Sequence, residues 1–335
     1  VLLEFDADQR LWQETVRDAV TKQCPASLVR GVAENGVDPA PLWRTYVDAG
    51  WTDLSDPENA VELAIVLEEL GRATDPTPYL ATLTQFAPLA GDRFDPAQAG
   101  TAIYGGVTAH RDADGWVLTG TAHHVLDGDR AEQFAVLTEA GVFIVDAGEA
   151  TTRRSPVFDP VLHIAEVSLA AVHVSDDARM HVDTDKAHHV ALTGMAITTV
   201  GACQRILDLV LEHVKQRQQF GVAIGSFQAV QHKAVDMHVA TERARALSYF
   251  AALTISADDP RRRLAAAMAK AAAGECQALV FRHGLQLFGA MGFTWENDLQ
   301  FALKRAKTGE LLLGGAAEHR AIIAEEYRSS SAAGF

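Results

Sequence analysis

Residues 217–237 read RQQFGVAIGSFQAVQHKAVDM: an arginine, then Phe220-Gly221, then Gly225-Ser226-Phe227, then Gln228 eleven residues after Arg217, where a helical pattern opens. Each residue type has a use beside a phosphorylated ligand. The guanidinium of Arg217 stays charged and offers a planar fork of donors that matches a pyrophosphate. Gly221 lets the chain turn tightly with its backbone close to a ligand. Phe220 can pack on an aromatic or ribose face, and the Gln228 amide both donates and accepts. By itself, Arg-x-x-Phe-Gly between helices reads as a surface arginine beside a helix end. These residues by themselves leave both readings open.

Outward from this stretch the pattern is helical. Val230, Ala234, Met237, Ala240, Ala244, Leu247 and Phe250 mark one face of a long helix. Asp258, Asp259 and Pro260 open another, with the acids at its positive end. Upstream, from about 100 to 180, come short β-rich runs: TAIYGGVTAH, WVLTG, QFAVLT, GVFIVD and AEVSLAAVHV. Between the first two, DADG fits a tight hairpin turn. Residues 7–82 are helical again. DADQRLWQETVRDAV carries a capping aspartate, PLWRTYVDAGW ends at a glycine, and NAVELAIVLEELGRA closes on Gly71. The expected fold is α+β and mostly α, with an N-terminal helical domain (1–90), a middle β-domain (91–182) and a C-terminal four-helix bundle carrying the clasp (183–335). The small polar tail SSSAAGF is expected to fray.

Composition bounds the function. Hydrophobic residues make up 48% and charged residues 22%, enough apolar matter for sizeable cores. The formal charge of −15 argues against nucleic-acid binding by phosphate neutralisation, so an anionic ligand must be met by local positive groups. Cys24, Cys203 and Cys276 are odd in number and widely spaced, which gives no disulfide framework and no metal pattern. The start VLLEFDADQR lacks a basic region followed by an apolar run, so no secretion signal is expected and a cytoplasmic location is. The alanine-rich RLAAAMAKAAAGECQALVF is interrupted by Lys270 and Glu275 and reads as a helix of a soluble protein, with no membrane role.

The order helices, β block, helices, with Arg217…Phe220-Gly221…Gln228 in the last block and Gln286, Gly289 and Gly292 on a later helix, resembles the acyl-CoA dehydrogenase family. WRTYVDAGWTDL (43–54), LEELGRA (67–73) and GWVLTG (115–120) extend the resemblance over nearly the whole chain. It implies FAD as cofactor and desaturation of an acyl-CoA. It also implies that Arg217, Phe220, Gly221, Gln228, Gln286 and Gly289 clasp the ADP half of a flavin held mainly by a neighbouring subunit. The family's usual paired glycine is here Gly289-Ala290.

The same resemblance exposes losses. Family members carry a catalytic carboxylate in a Tyr-Glu-Gly-Thr segment, which aligns with KRAKTGELLLGGAAEHR (304–320) and places Leu313 at the base position and Gly315 at the threonine. The other family location for the base falls near Ala191, again without a carboxylate. The loop that touches the flavin ring aligns with TQFAPLAGDRFDPAQAG, without its motif. In GTAHHVLDG, His124 and Leu126 stand where the family has tryptophan and threonine. A chain that keeps the clasp and loses the ring pocket is expected to complete the site of a different, fully equipped subunit. The likeness is to the non-catalytic subunit of heteromeric bacterial dehydrogenases acting on steroid side chains, an α2β2 arrangement being expected.

Two alternatives stay open at this level. In one the chain is a self-sufficient dehydrogenase whose base is Glu310, three residues before Leu313; in the other it is a binding or structural protein on the same fold. The pairs His123-His124 and His188-His189 point in diverging directions, so no metal site is expected. Arg261–Arg263 read as a solvated cap with local ion pairs, and Arg243 and Arg245 as candidates for a subunit contact.

Overall fold

The computed structural model describes residues 4–332. Residues 1–3, where the stretch read for a secretion signal begins, and 333–335, the end of the SSSAAGF tail, lie outside the described residues. The chain opens with α1 (Ala7–Gln23), α2 (Ala26–Asn35), α3 (Ala40–Asp48), α4 (Ala60–Ala73), α5 (Tyr79–Ala81) and α6 (Ala87–Ala90), the last two joined by a π turn over Thr82–Phe86. The capping aspartate is Asp6: its Oδ1 accepts from Gln9 N at 2.8 Å, and the Gln9 side chain returns to Asp6 N, a reciprocal box.

Eight strands follow: β1 (Gly100–Ile103), β2 (Val107–Arg111), β3 (Trp116–Leu126), β4 (Gln133–Thr138), β5 (Gly141–Asp146), β6 (Thr151–Arg154), β7 (Ile164–Val174) and β8 (Arg179–Met180). Then come α7 (Thr184–Gln216), the short strands β9 (Gln218–Gln219) and β10 (Val222–Ala223), α8 (Gln228–Ser256), α9 (Arg262–Phe288), α10 (Leu299–Leu311) and α11 (Ala316–Ala332). The fold is mostly helical with a central β region, and the helix of α11 runs through the expected frayed tail as far as Ala332.

Two compact units form, and they cut across the sequence segments. Among the described residues, one gathers 4–37, 57–75 and 192–332; the other gathers 38–56 and 76–191. In the second, β1-β4-β5-β8 and β2-β3-β7-β6 make two sheets, every pairing antiparallel except the parallel β1–β4. Ile103, Leu118, Phe134, Phe143, Val167 and Leu169 fill a common core of the strands. Phe86, Leu89 and Ala90 pack with Ala102, Ala135 and Ile144 in a second cluster.

TAIYGGVTAH is not one strand: it breaks at Gly105-Gly106 and its halves enter different sheets. Gly106 has φ +82°, and a Cβ there would lie 2.4 Å from Thr121 O. The DADG turn connects β2 to β3 as read, with Asp112 N donating to Gly115 O at 3.0 Å. The fully exposed β6 and the two-residue β8 carry no alternation that periodicity could catch.

In the first unit, α4 and α7 approach until their backbones touch. A Cβ on Gly71 would lie 2.2 Å from Thr198 O, and one on Gly201 would lie 2.0 Å from Glu68 O. Gly71 therefore does not stop its helix: α4 continues to Ala73, and Thr74 takes the left-handed cap at φ 59°. α8 and α9 run antiparallel, with Thr241 beside Cys276 and Arg243 on Glu275. Along the apolar face of α8, Met237 and Ala244 are buried and Val230, Ala234, Ala240, Leu247 and Phe250 half-buried. Thr241 and Ser248 join that buried stripe because their hydroxyls bond the carbonyls of Met237 and Ala244 within the helix.

Pro260 sits just ahead of α9, whose N-cap is Arg261. Arg261 pairs with Asp259, Arg262 with Asp258 and Arg263 with Glu326, the local ion pairing expected of that run. α7 and α9 are long and apolar enough to span a membrane by composition, and both are mostly buried.

Candidate functional site

The clasp residues fall at one end of the helices of the first unit. β9 and β10 pair as a two-residue hairpin whose tip, Phe220-Gly221, has φ of +54° and +81° at successive positions. Two successive positive φ values define a primed turn, which a glycine at the second position favours. Ile224 N donates to Arg217 O at 2.8 Å, and Arg217 N donates to His213 O at 2.8 Å, tying the hairpin to the last turn of α7. Phe220 stands 93% exposed, its ring edge-on to Phe227 with the centroids 6.2 Å apart.

Gln228 is the first residue of α8 and is exposed. Behind it, Gln231 Nε2 donates to Gly225 O at 3.0 Å and Ser226 Oγ to Ala223 O at 2.7 Å, fixing the turn. The far half of the clasp arrives through a ring stack: His213, in the last turn of α7, lies 4.3 Å from Phe288 at the end of α9. Burial and the nearby Arg217 charge hold the His213 pKa below its usual value, so the imidazole is neutral at physiological pH. Gln286 is exposed two residues before Phe288, and Gly289 follows it with φ +62° and open space where a Cβ would point.

These residues fit the nucleotide half of FAD. Among the described residues no carboxylate pairs with Arg217, Phe220 offers a bare aromatic face, and the backbone at Gly289 is open to close approach. The fit stops at the reactive end.

Leu313 sits in the loop between α10 and α11 with φ +58°, a left-handed conformation that disfavours leucine by roughly 1–2 kcal/mol. Two groups to which the sequence reading gave no role here impose it. His319 Nε2 donates to Leu313 O at 2.8 Å. Lys270 Nζ donates to Gly314 O at 2.6 Å and Glu310 O at 3.1 Å. Lys270 is only 1% exposed, and burial brings its pKa down to about 8. The signal was present: a single lysine inside the alanine-rich run of α9.

Glu310 is committed elsewhere. Its Oε2 receives Lys307 Nζ at 2.7 Å, and its Oε1 lies 2.9 Å from where a Cβ on Gly315 would be. Arg245, expected at a subunit contact, is turned into its own chain. Its Nε donates to Glu68 Oε1 at 2.7 Å and its NH2 to Gln204 Oε1 at 2.7 Å.

In the second unit, β3 runs on through GTAHHVL with a bulge between Ala122 and Val125, where His124 takes φ +60°. His123 Nδ1 meets Glu166 at 3.0 Å. His163 Nδ1 lies 2.8 Å from Asp129, whose pKa this contact lowers against the opposing effect of burial. Among the described residues no three His, Cys, Asp or Glu side chains gather as metal ligands would.

Helices, a middle β region and a second helical set that presents an Arg-x-x-Phe-Gly hairpin define the architecture of flavin-dependent oxidoreductases of acyl thioesters. The acyl-CoA dehydrogenase C-terminal domain matches residues 188–327. Acyl-CoA dehydrogenase IpdE2 of Mycolicibacterium smegmatis is 31% identical over 325 residues, covering 92% of this chain and 94% of that one. The ChsE4-ChsE5 complex from Mycobacterium tuberculosis has a chain that superposes with TM-score 0.88 at 22% identity, covering 98% of this chain and 99% of that one. A variant of the Tcur3481-Tcur3483 steroid ACAD superposes with TM-score 0.83 at 26% identity, covering 97% and 99%. The chain belongs to the acyl-CoA dehydrogenase family, whose members are oxidoreductases acting on CH–CH bonds with FAD.

Proposed function

We propose that this chain is the cofactor-completing subunit of a heteromeric acyl-CoA dehydrogenase. One contrast carries the reading: Arg217 and Phe220 stand open for a dinucleotide, while the base position holds Leu313, and Glu310, three residues before it, is held by Lys307. Arg217 would bind the pyrophosphate, Phe220 cover the adenosine, and Gln228, Gln286 and the Gly289 backbone close around it. FAD held there would supply the acceptor for the substrate β-hydrogen as hydride. The α-proton goes to a carboxylate that the partner subunit supplies, since leucine cannot accept it.

A related chain is the fitting partner, in an α2β2 assembly; the ChsE4-ChsE5 structure, a complex by its own description, supports this reading. Likeness to a steroid ACAD supports a steroid CoA thioester as the substrate class. Three free, buried cysteines suit a reducing cytoplasm. Glu310 as a base for a self-sufficient enzyme is disfavoured by its ion pair with Lys307.

The test is a flavin count on the purified complex. Half a flavin per chain is expected, and the chain alone should be colourless. Arg217→Ala in the complex should weaken FAD retention by about 1.5–3 kcal/mol, the worth of a charge-assisted contact. Unchanged retention in that variant, or a yellow lone chain with one flavin each, would refute the proposal.

A further inference from the structure

We propose that His213 is a positioning residue for the nucleotide clasp: its ring, flat against Phe288, holds the Arg217 hairpin at a fixed spacing from Gln286 and Gly289. The inference rests on the reading of those residues as a clasp for the ADP half of FAD, and it gives a role to a residue outside that set.

The two halves of the clasp come from different helices, and the first is not rigid by itself. The β9–β10 hairpin has two residues per strand and an exposed tip, and an isolated hairpin of that size is marginal. It is fastened to α7 by Arg217 N on His213 O and Ile224 N on Arg217 O, both at 2.8 Å. Its aim therefore follows the last turn of α7, and helix ends fray unless packing holds them. Here packing is present. Val214 is buried, and a Cβ on Gly225 would lie 3.0 Å from Val214 O, so the chain beyond the hairpin folds back onto that turn.

The other half hangs from Phe288, the last residue of α9, with Gln286 two residues before it and Gly289 directly after. The 3₁₀ turn Gly289–Phe293 folds back on the same residue: a Cβ on Gly292 would lie 3.0 Å from Phe288 Cβ. Phe288 is buried, and the half-buried His213 lies on it at 4.3 Å with 12° between the ring planes. Stacked rings contribute beyond the area they bury and fix orientation as well as distance. The imidazole, kept neutral by burial and by Arg217, adds no second cation to the contact. A clasp whose halves are already spaced loses less binding free energy to ordering when the nucleotide arrives.

His213→Ala, His213→Leu and His213→Phe provide the test, read by amide hydrogen exchange on the full chain and by FAD retention in the complex with the partner subunit. Leucine fills the space without a flat face, whereas phenylalanine restores the stack. Exchange at the Arg217 and Ile224 amides should rise about two- to twelvefold in the alanine and leucine variants, the worth of an aromatic pair. It should return to the parent rate with phenylalanine. FAD retention should fall and recover in the same order, while amides in the middle of α7 and α9 keep their parent rates. The inference is overturned if His213→Ala leaves the hairpin amides at the parent rate, or if exchange rises throughout both helices, the mark of a stability role alone. It is overturned too if leucine serves as well as phenylalanine, a comparison that decides even if the alanine variant fails to fold. Arg217→Ala separates this failure from that of the clasp. Retention unchanged there refutes the clasp, whereas retention lost there but kept in His213→Ala refutes only the role of His213.

Discussion

Removing the Arg245 guanidinium should destabilise the protein more than most surface substitutions, because of what it leaves behind. Glu68 is 4% exposed, and its two oxygens are served by Arg245 Nε at 2.7 Å and Tyr249 OH at 2.9 Å. Burial and the Glu68 charge raise the Tyr249 pKa, so that hydroxyl keeps its proton and remains a donor. Arg245→Met preserves much of the aliphatic bulk but strands a buried carboxylate with one neutral partner. Breaking a buried pair from one side costs about 3–5 kcal/mol. In a unit of this size that lowers Tm by roughly 6–20 °C.

The assay is a urea or thermal melt of the parent, Arg245→Met, Glu68→Gln and the double variant. The double variant removes the stranded charge with its partner and should recover most of the loss, leaving about 1–2 kcal/mol for missing hydrogen bonds. An Arg245→Met variant within 1 kcal/mol of the parent would refute the argument. A double variant that loses the sum of both singles would refute it too.

Gly201→Ala should cost about 3 kcal/mol or more, since its Cβ would meet Glu68 O at 2.0 Å and backbone cannot step aside as a side chain can; an unchanged urea midpoint would show that α4 and α7 do not touch. Lys270 makes stability rise with pH. Its folded pKa of about 8 lies below the model-peptide value of 10.5, so from pH 8 to 10.5 the unfolded chain holds the extra proton. The parent should gain up to about 3 kcal/mol relative to Lys270→Met across that window, and parallel curves for the two would contradict a buried ammonium. Leu313→Glu should produce no dehydrogenase activity in the lone chain, because a base without a bound flavin ring has no hydride acceptor. Turnover with an acyl-CoA and an electron acceptor would disprove that.

Local sequence determined whatever neighbours a few residues apart can decide. The 3.6-residue stripe of α8, the capping aspartate before α1, the DADG turn and the tight turn at Gly221 were legible because their physics is contained in the stretch itself. The candidate clasp residues Arg217 and Gln228 were nominated in the same way, from one chain segment. Tertiary structure decided the rest. Gly71 looked like a helix stop until α7 came within touching distance of it. Arg245 looked like a surface cation until Glu68, 177 residues away, buried it. Lys270 fixes the Leu313 loop from 44 residues away, a separation that no sequence window joins. Periodicity records which face of an element avoids water, but which groups meet on that face depends on contacts between distant segments.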